Sequence, residues 1–122
     1  MHINKIIHFS REYREAELCI SDGDYSVICY AFPVESISVN QDVNELYGFL
    51  CTDISRSYEC DYLIKKLPQY YAYCLNAKVV SRNDCTVQIG KITICLDSEI
   101  PKDIFDGDYV SFHVQRLDLS QP

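Results

Sequence analysis

The strongest constraint on the fold of this chain is a pattern in its C-terminal half. β-branched and aromatic runs recur there at short intervals, each closed by a turn signal. Tyr70-Tyr-Ala-Tyr-Cys-Leu-Asn-Ala-Lys-Val-Val-Ser81 is followed by Arg82-Asn83-Asp84, then Cys85-Thr-Val-Gln-Ile89, Gly90 and Lys91-Ile-Thr-Ile-Cys-Leu96. A polar connection spans 97–108, and Tyr109-Val-Ser-Phe-His-Val-Gln-Arg-Leu-Asp-Leu119 follows it. Such side chains suit a pleated surface, and short strands at this spacing build a sandwich or barrel. The expected fold is mainly β, an antiparallel barrel or sandwich with at most one or two short helices. Residues 1–122 are enough for one domain with its own core.

The first half is less regular. Residues 15–20 and 25–32 flank Ser21-Asp22-Gly23-Asp24 and read as a hairpin, because Gly and Asp tolerate the positive φ of such turns. Pro33 ends or bends its second strand. Residues 34–39 alternate apolar and polar, the pattern of a half-exposed strand. Asp42 is placed to cap a short helical turn through Tyr47 that ends at Gly48, with 49–54 extended after it. Residues 57–67 carry two periods. Ser57 as a cap, Lys65-Lys66 in a last turn and Pro68 as a stop describe a helix. Alternation of Tyr58, Cys60, Tyr62 and Ile64 with Glu59, Asp61, Leu63 and Lys65 describes a strand, which the neighbouring β-type runs favour.

The order of runs from 70 onward, with an Asp106-Gly107-Asp108 turn before the last, resembles small Greek-key barrels of the oligonucleotide/oligosaccharide-binding kind. The resemblance covers about the last 50 residues. It implies a ligand face in which Tyr70, Tyr71 and Tyr73 stack on bases or a small ligand while Lys65, Lys66, Lys78 and Arg82 follow phosphates. Tyr71 and Tyr73 would share one strand face. Packing in the core and at its rim is the competing role for these tyrosines.

Charge opposes a nucleic-acid partner. Eleven basic residues stand against 18 acidic ones, a formal net charge of −7, and Lys65-Lys66 is the sole adjacent basic pair. An acidic surface favours solubility and fast capture of basic partners. The acidity is concentrated in 97–108, where Asp97, Glu99, Asp103, Asp106 and Asp108 face only Lys102. These five carboxylates are the expected docking residues for a basic protein; a solvated polar loop would have the same composition.

No catalytic motif is present. The four glycines are dispersed, no Ser-His-Asp or Cys-His order has a recognisable context, and His113 lies on the polar face of the last run with Ser111 and Gln115. Asp22-Gly23-Asp24-Tyr25 and Asp106-Gly107-Asp108-Tyr109 echo each other. Neither has the spaced carboxylates of a calcium loop, so both read as turns, and no metal or cofactor is implied. Seven cysteines, none closer than nine residues to the next, lack zinc spacing and sit mostly in apolar runs, the pattern of buried thiols. With neither a signal-peptide stretch at the N-terminus nor an apolar run long enough for a membrane helix, a reducing cytosol is expected. In size, acidity, free thiols and lack of a catalytic motif the chain resembles bacterial immunity-type proteins. That resemblance implies a non-enzymatic, cytoplasmic inhibitor of a basic toxin, such as a nuclease.

Overall fold

Alternation along the chain decides which residues meet. The computed structural model describes residues 1–119, which form nine strands and, among the described residues, no helix. They are β1 (His2–Ser10), β2 (Glu15–Ser21), β3 (Ser26–Ala31), β4 (Leu46–Ser57), β5 (Leu63–Lys66), β6 (Tyr73–Ser81), β7 (Thr86–Ile89), β8 (Ile92–Leu96) and β9 (Tyr109–Leu119). The strands run in the order β1-β2-β3-β9-β4-β8-β7-β6-β5, and a further pairing of β6 with β9 closes five of them into a barrel. Most pairs are antiparallel; β4–β8 and β3–β9 are parallel.

The last strand holds the molecule together because its edge is divided between two partners. Residues 109–114 pair with β6, while Asp118 and Leu119 pair with β3. Where β3 and β6 part, the Tyr73 hydroxyl accepts a 2.9 Å hydrogen bond from the backbone N–H of Ile28, so the diverging strand keeps a partner for its amide. Val110, Phe112 and Val114 point into the core, and the inward phase then shifts to Leu117 and Leu119. Opposite this shift, Leu50 of β4 adopts a positive φ of 53° and faces outward. The two strands thus change face at one level. Gly48 is needed just before it, since a Cβ there would lie 2.7 Å from Cys51 Sγ.

Two turns are tied to their neighbours by aspartates. Asp22 accepts from the N–H of Asp24 and Tyr25 within its own turn, and from Lys91 N at 2.7 Å in the β7–β8 turn. Asp106 accepts from Arg82 N at 2.8 Å in the β6–β7 turn. The echoing Asp-Gly-Asp-Tyr segments therefore share a structural role, each fastening a different hairpin turn.

The mainly-β expectation holds, and the hairpin at 15–32, the strands at 86–96 and 109–119 and the break at Pro33 lie where expected. Other expectations are corrected. Residues 34–39 form a loop: Val34 N donates to Arg14 O and Ser38 N to the Gln41 side chain, and no strand ladder among the described residues uses them. The helical turn at 42–47 is absent; Asp42 makes an isolated bridge to His2, and Leu46 already begins β4. In 57–67, Ser57 ends β4 and Leu63–Lys66 forms β5, while 58–62 is irregular. The strand expected from Tyr70 starts at Tyr73, because Tyr71 turns at a φ of 70° and Ala72 N donates to Gln69 O. Tyr71 and Tyr73 therefore share no strand face. The barrel is not complete within 70–119 either, since β4 supplies its fifth strand.

Candidate functional site

Strand parity also defines what points outward. Cross-strand register places Glu17, Tyr30, Asp118, Tyr47 and Cys95 in one row across β2, β3, β9, β4 and β8. Every one of them lies on the face away from the core. One step along, Phe49 lies opposite Arg116. The loop after β5 adds Tyr70 and Tyr71, and Phe32 follows β3. The result is a continuous aromatic surface built from segments far apart in sequence.

Its geometry is ordered. The Arg116 guanidinium stacks between Tyr30 and Phe49, 4.8 and 4.7 Å from their ring centroids. It also donates through Nε and Nη2 to the two Asp118 oxygens, at 2.6 and 3.1 Å. Hydrogen bonding to Asp118 holds its pKa above the ordinary arginine value. Tyr71 packs edge-on against both Tyr70 and Tyr30. Tyrosine hydroxyls donate outward to carboxylates: Tyr30 to Glu15 at 2.8 Å, Tyr47 to Glu45 at 2.7 Å, and Tyr70 to Glu17. The bonds from Tyr47 and the Cys95 thiol hold Glu45 below the usual carboxylate range. Phe32 is 58% exposed, Tyr70 64%, and Tyr47 and Phe49 41% each, an unusual density of large rings in water. A cavity of about 330 Å³ opens among Tyr30, Phe32, Tyr47, Arg116, Asp118 and Leu119.

The sequence-expected docking residues lie elsewhere, on the 97–108 connection, and several are engaged internally. Asp97 accepts from Leu50 N at 2.7 Å and Cys51 N at 2.9 Å, at the point where β4 changes face. Burial alone would raise its pKa; those backbone donors outweigh burial and hold the carboxyl below 3.8. Asp106 is bound to Arg82 N, and Asp108 accepts from Phe105 N and lies 3.5 Å from Arg56. Arg56 also donates to the Asp103 carbonyl. Glu99 and the Asp103 carboxylate are exposed, and among the described residues neither side chain makes a hydrogen bond to protein.

The alternative ligand set is divided by the fold. Tyr73 is buried, with its hydroxyl on Ile28 N. Lys66 spends its ammonium on the carbonyls of Leu67, Gln69 and Ala72, closing the loop that carries Tyr70 and Tyr71. Lys65 is exposed on β5, Lys78 lies on β6 and Arg82 in the turn beyond it. Tyr70 and Tyr71 instead join the aromatic face, beside Glu17.

His113 faces solvent, as expected, with Nδ1 3.2 Å from Asp53. Cys74 is its cross-strand neighbour but makes no hydrogen bond to the ring among the described residues. All seven cysteines are free thiols; Cys29 and Cys51 are buried, Cys60 is exposed and the other four are half-buried. Burial pushes Cys29 and Cys51 up to about 12, so neither is a thiolate near neutral pH. Comparison with protein-family models, curated proteins and solved structures finds no match.

Tyr30, Phe32, Tyr47, Phe49, Glu45, Arg116 and Asp118 were not singled out by sequence reasoning. The available signal was parity. On each correctly placed strand the residues between the buried ones are visible, but only the register shows that those of five strands adjoin.

Proposed function

We propose that the protein is a non-enzymatic binding module for a basic protein, in the manner of an immunity-type inhibitor that neutralises a toxin such as a nuclease. The observation that carries this reading is the aromatic face with its carboxylate rim. Tyrosine and arginine are enriched at protein interfaces and among their hot spots. Rigid rings give contact area at little entropic cost, and here stacking and hydrogen bonds already hold Tyr30, Tyr47, Phe49, Tyr70 and Tyr71. In the hydrogen-bond network of the face, Glu15, Glu17, Glu45 and Asp118 stand against the single guanidinium of Arg116. A negative rim around an aromatic centre steers and orients a cationic partner.

Strand addition is a poorer mode of recognition for this fold. Two register shifts interrupt the edge strand β1, and the edge strand β5 is short and carries Lys65 and Lys66. Each device blunts a sheet edge.

The test is affinity capture from the source cell with the wild type and with Phe32→Ser/Tyr47→Ser as baits. A basic protein retained by the wild type, released by salt and lost with the variant is the expected result. Equal retention by both baits would remove the face from the reading. Saturable binding of a short oligonucleotide at low salt would overturn the partner class.

A further inference from the structure

Resting on that reading, we infer that the cavity among Tyr30, Phe32, Tyr47 and Asp118 receives an arginine side chain of the basic partner. Its volume of about 330 Å³ is at the small end of ligand pockets, roughly 300–1,000 Å³. That is room for one long side chain and not for a folded segment. Three aromatic walls suit a flat cation, since the ring faces are negative.

The molecule already displays the required chemistry in the cavity's own lining, to which Arg116 belongs. Arg116 lies over Tyr30 and Phe49 and is held by both oxygens of Asp118. With its charge matched by Asp118, Arg116 presents little net repulsion to a second guanidinium. Glu15 and Glu45, on the hydroxyls of Tyr30 and Tyr47, leave the surround negative. An anion would meet these carboxylates and find Arg116 already paired. Arginine is favoured over lysine because a planar, weakly hydrated guanidinium can stack on a ring while its edge donates to a carboxylate.

The test titrates isotope-labelled protein with Nα-acetyl-arginine amide and with Nα-acetyl-citrulline amide, which has the same shape without the charge, and follows NMR shifts. Saturable shifts centred on Tyr30, Phe32 and Tyr47 are expected for the arginine compound. The citrulline compound should bind roughly threefold or more weakly, the scale of a surface cation–π contact. Phe32→Ala should weaken arginine binding about two- to fivefold by the same measure. Equal binding of the two compounds would make the cavity an uncharged slot and overturn the inference. Absent or scattered shifts would overturn it as well. The two failures are separable: loss of partner capture in Phe32→Ser/Tyr47→Ser alongside a negative titration sinks the arginine pocket alone.

Discussion

In the 97–108 connection, Asp97, Asp106 and Asp108 accept from backbone N–H groups. On the β2–β3–β9–β4 face, Glu15, Glu17 and Glu45 accept from tyrosine hydroxyls at the surface. The first region is denser in charge along the sequence; the second becomes dense only after folding. A carboxylate whose lone pairs are spent on amides fixes a turn, and rotating it toward a partner would strand those donors. A carboxylate on a surface tyrosine can exchange that bond for a partner's at small cost. The acidic connection is mainly construction, and the aromatic face is the better-equipped surface for recognition.

The comparison breaks most readily where an aspartate ties two turns. Gly90 has a φ of 57°, and a Cβ there would lie 2.5 Å from Asp22 Oδ2 and 2.7 Å from Tyr25 Cδ2. Gly90→Ala should cost about 2–3 kcal/mol, combining a strained backbone with loss of the Asp22–Lys91 bond. Urea denaturation reads it as a lower midpoint at unchanged slope. A loss below about 0.5 kcal/mol would show that the turn relaxes freely and that Asp22 ties nothing.

Asp97→Ala is the next largest change. Two backbone donors at the β4 switch lose their acceptor, but Asp97 is partly open to water, which can replace some of it. The expected loss is about 1–2 kcal/mol rather than the sum of two charge-assisted bonds. Partner capture should survive once the variant is folded. If capture fails while stability is kept, the connection is a docking surface after all.

Acid titration sharpens the same point. Asp22 and Asp97 are both held below 3.8 by backbone donors that outweigh the opposing effect of burial. A carboxyl with a lowered folded-state pKa contributes fully above its unfolded value, and the contribution fades as pH falls through the folded value. The stability gap between wild type and Asp97→Asn should therefore be widest near neutrality and shrink below pH 3.8. Denaturation curves at several pH values measure it. An unchanged gap across that window would mean the charge of Asp97 contributes nothing.

How far the sequence was legible follows from these same residues. Strands whose alternation is unbroken, such as β8 and the first part of β9, could be read directly. β1 could not, because its register shifts between Ile3 and Lys5 and between Ile6 and His8 break the period. Gly48 looked like a helix end, yet its missing side chain serves close packing against Cys51 within a strand. Ile37 and Val39 alternate with serines, but Val34 is already out of step and no ladder among the described residues uses the pattern. Tyr70 and Tyr71 drew notice as a cluster, but their partners Glu17 and Tyr30 lie some forty or more positions away, and only the return of β9 between β3 and β4 brings the face together.

The smallest expected effect on stability tests the other side of the comparison. Phe32 is more than half exposed, so Phe32→Ala removes little buried surface and should change stability by no more than about 0.5 kcal/mol. Its expected effect on partner capture is large, because a ring kept in water lowers its free energy only when something covers it. Charge reversal of Glu99 and Asp103, the two carboxylates of the connection without a protein hydrogen bond among the described residues, should also leave stability unchanged and should slow capture only slightly. Measured side by side at two salt concentrations, these variants separate contact from steering. Loss of capture at both salts with Phe32→Ala assigns recognition to the face. A larger loss from the Glu99 and Asp103 reversal, confined to low salt, would return the docking role to the connection.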